Sequence, residues 1–146
     1  MSILGTVNRC VDSVSNNTQT LSWTLLRVLS SAMFMTHGWP KMFGEQAQPF
    51  LGGTGFLGID LGVNMLWIAG AIELFGGGLL VLGLFTRYVA LLAAILMVMA
   101  YLTAHPAWFP TLNNGELATM YFLVYFAIFA VGPGKISLDS LIRGRS

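Results

Sequence analysis

The sequence predicts an all-α fold, an integral membrane bundle of four transmembrane helices with both termini cytoplasmic. Three observations predict it. Hydrophobic residues make up 55% of the chain and charged residues only 9%, with a mean hydropathy of +0.74, whereas soluble domains carry about 25% charged residues. Four apolar segments, Leu21–Trp39, Leu61–Leu84, Tyr88–Ala104 and Asn114–Val131, approach the roughly 20 residues a helix needs to span a bilayer. Lys and Arg are distributed unevenly between the two ends of those segments.

The segments are continuous rather than alternating, and a spanning segment must satisfy its own backbone, so helices are expected rather than strands. Gly83-Leu84-Phe85-Thr86-Arg87 is a tight connection between the second and third segments. Pro106 and Pro110 break the chain after the third, and Gly132-Pro133-Gly134 stops the fourth. Residues 1–20 read as a polar N-terminal tail, 21–134 as the membrane domain and 135–146 as a cytoplasmic C-terminal tail. Within the tail, Ile3, Leu4, Val7, Cys10, Val11 and Val14 recur at helical spacing, consistent either with a helix on the inner leaflet or with a frayed end. Ser13–Thr20 reads as a linker, and no cleavable signal peptide is apparent.

With four spans the termini share a side. That side holds Arg9, Arg87, Lys135, Arg143 and Arg145, and the other holds only Lys41, so the termini are expected inside. The bacterial inner (cytoplasmic) membrane is the expected location, with the loops 41–60 and 105–116 outside. The net charge of +1 gives no nucleic-acid footprint, and the single cysteine excludes an internal disulfide, a CxxC pair and a CxxCH haem attachment.

Charges inside the apolar segments are the functional signal. A charge at bilayer depth costs on the order of 2.5–3.5 kcal/mol, so such groups face a bundle interior and pair. Arg27 and Glu73 are so placed, and they are expected to approach each other, either as a lock between two helices or as a functional pair. In the first segment Arg27, Ser30, Ser31, Phe34, Gly38 and Lys41 share a face, with His37 beside Lys41. In the second, Gly70, Glu73 and Gly77 share one, and Gly76-Gly77-Gly78 allows close backbone approach.

The outer helix ends gather the remaining polar groups: His37, Lys41, Tyr101, His105, Asn114 and Glu116. His37, Lys41, Glu73, His105 and Glu116 are the candidate proton-handling residues, since their side chains exchange or polarise protons at a bound carbonyl or hydroxyl. Arg27, His37, Lys41, Tyr101 and Asn114 are the candidate ligand-holding residues. Asn113 and Glu116 also fit a capping box, and each histidine fits an interfacial hydrogen-bonding role. No carboxylate–histidine motif supports metal, haem has only two histidines to draw on, and no flavin motif is present. Gly52-Gly53-Thr54-Gly55 lacks the ending of a phosphate loop; with Phe50, Leu51, Phe56 and Leu57 it suggests a loop dipping into the outer interface as a lid.

The ordered pieces Arg27, His37-Gly38-x-x-Lys41-Met42-Phe43-Gly44, Glu73-x-x-Gly76-Gly77-x-Leu79, Gly83-Leu84-x-Thr86-Arg87, Asn114-Gly115-Glu116 and Gly132-Pro133-Gly134-x-x-Ser137-Leu138-Asp139 resemble the DoxX family of small bacterial membrane proteins. The chain departs from the family's double-glycine form in having Asn113-Asn114 before Gly115. The resemblance implies a four-helix bundle and a link to quinone-coupled oxidation, because the family is similar to the membrane subunit of thiosulfate:quinone oxidoreductase. Three functions follow: a quinone-linked oxidoreductase subunit, a non-catalytic anchor or assembly subunit of a larger complex, and a small-solute or proton pathway, which four helices suit least. The partners expected are the lipid bilayer together with further subunits or copies of the chain.

Overall fold

The computed structural model describes residues 3–52 and 62–144. Among them are five α-helices and no strand. Helix α1 is Ile3–Met42, α2 is Met65–Leu82, α3 is Thr86–Ala104, α4 is Glu116–Val131 and α5 is Leu138–Arg143. Helices α2 and α3 are each long and apolar enough to cross a membrane, and α4 is a shorter apolar helix.

Helix α1 is continuous, which corrects the linker expected at Ser13–Thr20. No Gly or Pro falls between Thr6 and Gly38, so nothing interrupts propagation from the apolar half into the polar half. Thr18 folds its hydroxyl back onto the Val14 carbonyl at 2.9 Å, keeping a polar side chain within the helix. Forty residues give a rod of about 60 Å, roughly twice the ~30 Å hydrocarbon thickness. Val7, Val11 and Val14 are exposed along its first half. The glycine run 53–55, Phe56 and Leu57, read as a lid, lie outside the described residues.

Helix α2 begins under Asn64, whose side chain accepts from the backbone N–H groups of Leu66 at 2.9 Å and Trp67 at 3.4 Å. A π turn occupies Ile72–Gly76. The helix ends at Gly83 in the left-handed region, with Leu84 N–H donating to Leu79 and Gly83 N–H to Leu80, the paired bonds of a Schellman motif.

Helices α1 and α2 run antiparallel with their backbones nearly touching. A Cβ at Gly38 would lie 2.6 Å from both the Gly70 carbonyl oxygen and the Leu74 nitrogen, and one at Gly77 would lie 2.6 Å from the Met35 side chain. Helices α3 and α4 pack through small residues of α3, Ala90, Ala93 and Ala94, against Tyr121, Tyr125 and Ile128 of α4. The surface away from this core is apolar. Leu91, Leu92, Ile95, Leu123 and Phe126 are all exposed, as expected of helices whose solvent is lipid.

The end of the bundle where α2 runs into α3 and α4 into α5 is closed by side chains that cap helix termini. Arg87 donates to the carbonyls of Phe129, Ala130 and Val131 at the end of α4. Asp139 accepts from the backbone N–H groups of Phe85 at 3.0 Å and Thr86 at 2.8 Å at the start of α3, where a negative charge complements the helix dipole. Trp23 donates to the Gly132 carbonyl at 3.0 Å, and its ring leaves no room for a Cβ at Gly134, where φ is +80°. Gly83-Leu84-x-Thr86-Arg87 and the Gly132–Asp139 stretch are therefore structural joints.

Candidate site: a cavity around a buried ion pair

Glu73 lies in the π turn of α2, a local widening often found where a helix carries function. Lys41, near the end of α1, places its Nζ 2.6 Å from both carboxylate oxygens of Glu73. The side chain of Glu73 is 4% exposed and that of Lys41 21%. A pair so far removed from water needs both charges in contact.

The Gly38–Gly70 crossing sets this pairing. It seats Lys41 over Gly70 and Glu73, and it carries the Arg27 stretch of α1 past Leu80 instead. The expected approach of Arg27 to Glu73 is thereby overturned. Arg27 is 1% exposed and donates to the carbonyls of Leu80, Val81 and Ile136. These are carbonyls at the free end of α2 and in the following joint, where a guanidinium is favoured by unsatisfied acceptors and by the helix dipole.

A cavity of about 320 Å³ opens beside the ion pair. This is within the lower range of small-molecule sites. His37, Lys41, Glu73, His105 and Asn114 bring polar groups to its wall, and Phe34, Met97 and Tyr121 close it towards the middle of the bundle. His105 holds its Nδ1 2.8 Å from the Asn113 carbonyl. That contact places a proton on Nδ1 and leaves Nε2 of the neutral ring as an acceptor towards a bound hydroxyl. Lys41 commits its ammonium to two carboxylate oxygens and retains a third N–H. His37 meets the ring of Tyr121 edge-on, with centroids 5.9 Å apart.

Three of the residues read from the sequence stand elsewhere. Arg27 is in the joint between the end of α2 and the segment before α5. Tyr101 spends its hydroxyl on the Ala107 carbonyl at 2.6 Å, and its ring packs where a Cβ at Gly115 would have to sit. Glu116 is exposed and off the cavity wall. The capping box is also absent: α4 starts at Glu116 rather than at Asn114, its N-cap is Gly115, and Asn114 occupies the left-handed region at φ 53°. Tyr121, 6% exposed on the cavity wall, was not legible among the candidates. The only signal for it was a pair of tyrosines, Tyr121 and Tyr125, one turn apart in an otherwise apolar helix.

Comparison with known proteins identifies the family. The DoxX family profile matches residues 22–106. The chain belongs to the DoxX family. A Haemophilus influenzae protein described as uncharacterized is 39% identical over 120 residues, covering 79% of this chain and 86% of that protein. A Bacillus subtilis protein named "Putative oxidoreductase CatD" is 32% identical over 119 residues, covering 81% of this chain and 84% of that protein. No solved structure matches. This DoxX chain is thus a membrane protein with a buried charge at each end of the bundle, the Lys41–Glu73 pair at one and Arg27 at the other.

Proposed function

We propose that this DoxX protein is the membrane subunit of a quinone-linked oxidoreductase and that the quinone head group enters the cavity beside Lys41 and Glu73. The observation that carries the reading is the ion pair itself. A cation with a spare N–H stands on the wall of an apolar cavity, beside two histidines and a carboxylate. A quinone ring needs an apolar slot together with a donor at a carbonyl oxygen, and the spare N–H of Lys41 supplies one. The Bacillus subtilis relative's name supports redox chemistry in the family.

In this reading the α1 segment 21–42 and helices α2 to α4 cross the inner membrane, with both termini cytoplasmic and the cavity opening near the outer leaflet. The clustering of Arg87, Lys135 and Arg143 at the end opposite Lys41 supports that orientation. Reduction of the head group consumes two electrons and two protons. The electrons come from a reduced substrate or a partner subunit. Lys41 donates to one ring oxygen, His105 exchanges a proton at a ring oxygen, and Glu73, hydrogen-bonded to Lys41, passes protons inward or outward.

The test is quinone binding and reduction by purified protein carrying His37→Ala or His105→Ala. Both variants are expected to fold and to bind more weakly. If both bind and turn over like the wild type, the polar cluster is interfacial and the chain is better read as an anchor subunit, a role that the long exposed first half of α1 favours.

A further inference from the structure

The Tyr121 hydroxyl is buried, and it has no hydrogen-bond partner among the described residues. Tyr121 itself is 6% exposed and forms part of the cavity wall. A phenol removed from water without a partner loses the hydrogen bonds it makes in water, so a phenylalanine would serve better if packing were its only task. Tyr125, one turn on, makes the contrast: its hydroxyl reaches the Ser30 carbonyl at 3.4 Å. The Tyr121 ring is also firmly placed. It stacks on Tyr125 at 5.9 Å with an interplanar angle of 11° and packs at 5.4 Å against Phe34.

The two ends of the cavity differ in chemistry. His105, Asn114 and Lys41 lie near the ends of helices, whereas Tyr121 is five residues into α4 from Glu116, or about 7.5 Å deeper. Around Tyr121 the wall is Phe34 and Met97, aromatic and thioether surface suited to the face of a flat ring. The cavity therefore has a cluster of polar groups at its mouth and, deeper in, Tyr121 with its buried, unpartnered hydroxyl, its ring touched by the edge of His37.

We infer that Tyr121 is a specificity-determining residue whose hydroxyl hydrogen-bonds an oxygen on the inner edge of a flat ring, while Lys41 and His105 engage an oxygen on the opposite edge. The ligand class is a ring bearing oxygens on both edges, oxidised or reduced, because a phenol both donates to a carbonyl and accepts from a hydroxyl. The inference rests on the quinone reading and deepens it by assigning the second oxygen to a residue outside the polar cluster. It makes Tyr121 a ligand-holding group rather than a proton source, since the cluster at the mouth already holds the titratable side chains.

The experiment measures equilibrium binding of 1,4-naphthoquinone and of naphthalene to detergent-solubilised wild type and Tyr121→Phe. The two probes share a ring system and differ in their oxygens, so their affinity ratio cancels any general loosening of the cavity. The wild type is expected to prefer the quinone, and Tyr121→Phe to lower that preference roughly three- to tenfold, the worth of one hydrogen bond. Naphthalene binding should be unchanged or slightly tighter. An unchanged ratio with firm quinone binding would overturn the role of Tyr121 and leave the quinone reading standing. Failure of the wild type to prefer the quinone over naphthalene would overturn both. Retained helical circular dichroism and a single elution peak for Tyr121→Phe establish that the comparison is between folded proteins.

Discussion

Lys41 and Glu73 form a two-pronged ion pair, with the ammonium 2.6 Å from each carboxylate oxygen, across the closest crossing of α1 and α2. The pair joins a helix end to the π turn of the neighbouring helix and forms one wall of the cavity. Its placement makes it both a fastener and a chemical group, and the two roles are separable by mutation.

Removing either partner strands the other charge in a poorly hydrated place. Lys41→Met and Glu73→Leu are each expected to destabilise the protein by roughly 3–5 kcal/mol. The double variant removes both charges and is expected to recover part of that loss. Thermal unfolding in detergent, followed by size-exclusion fluorescence, makes the comparison. A double variant no more stable than the weaker single variant would show that the pair does not act as a unit.

The helices were legible because apolar runs and Pro or Gly stops are local signals; helix pairing was not. Arg27 and Glu73 were matched because both are charges in apolar segments. Register between helices is decided by where backbones touch, and Gly38 and Gly70 decide it here. Setting those two glycines level in antiparallel helices leaves Glu73 six residues from the level of Lys41 and eight from that of Arg27, so Lys41 is the nearer cation. The cavity's polar mouth was visible as His37, Lys41, His105 and Asn114 at neighbouring ends of the apolar segments. Its floor was not, because Tyr121 in an apolar run has the appearance of ordinary packing. The continuity of α1 was missed because polar composition was read as a break, although Ser, Thr and Asn within a Gly-free and Pro-free stretch only lower helix propensity by a few tenths of a kcal/mol each.

The glycine contacts predict opposite outcomes at two positions. A methyl at Gly38 meets backbone atoms of α2 at 2.6 Å, and backbone cannot swing aside as a side-chain tip can. Gly38→Ala is expected to cost about 1–3 kcal/mol and to loosen the Lys41–Glu73 pair with it. A methyl at Gly78 meets its nearest neighbour, the end of Met35, at 3.9 Å. Gly78→Ala is expected to be neutral or to stabilise by up to ~1 kcal/mol, since alanine is the better helix former. Melting temperatures that fall equally for both would contradict the close crossing at Gly38.

Arg27 is a structural residue in this arrangement, and its variants should say so. Its guanidinium serves carbonyls of α2 and of the segment before α5, so it ties α1 to both. Arg27→Met is expected to destabilise by about 3 kcal/mol or more, because charge-assisted bonds contribute ~1.5–3 kcal/mol each. Arg27→Lys keeps the charge but not the fork, and should fall between. Quinone affinity per folded molecule should stay at the wild-type value in Arg27→Lys, since Arg27 is not on the cavity wall. A selective loss of quinone binding in a stably folded Arg27→Lys protein would return Arg27 to the site.

Asp139 supplies a pH-dependent fastening at the start of α3, from a short helix outside the long apolar ones. Burial alone would raise its carboxyl, but the N–H donors of Thr86 and Phe85 and the charge of Arg143 outweigh burial and hold it below its ordinary value. A carboxyl lowered on folding stabilises the folded state above its unfolded pKa, about 4 for an aspartate. That stabilisation is lost as the pH falls through the lower, folded value. The melting temperature of the wild type is therefore expected to fall as the pH drops from about 5 to 3, with Asp139 contributing part of the slope. Asp139→Asn keeps the shape but loses the charge at the start of α3, and should cost about 0.5–2 kcal/mol at neutral pH, the usual worth of a helix N-cap. In the same acidic interval its melting temperature should depend on pH less steeply than that of the wild type. Equal slopes for the two proteins would mean that the carboxylate does not fasten α3 to the C-terminal segment in its charged form, and that the Asp139 cap is held by shape alone.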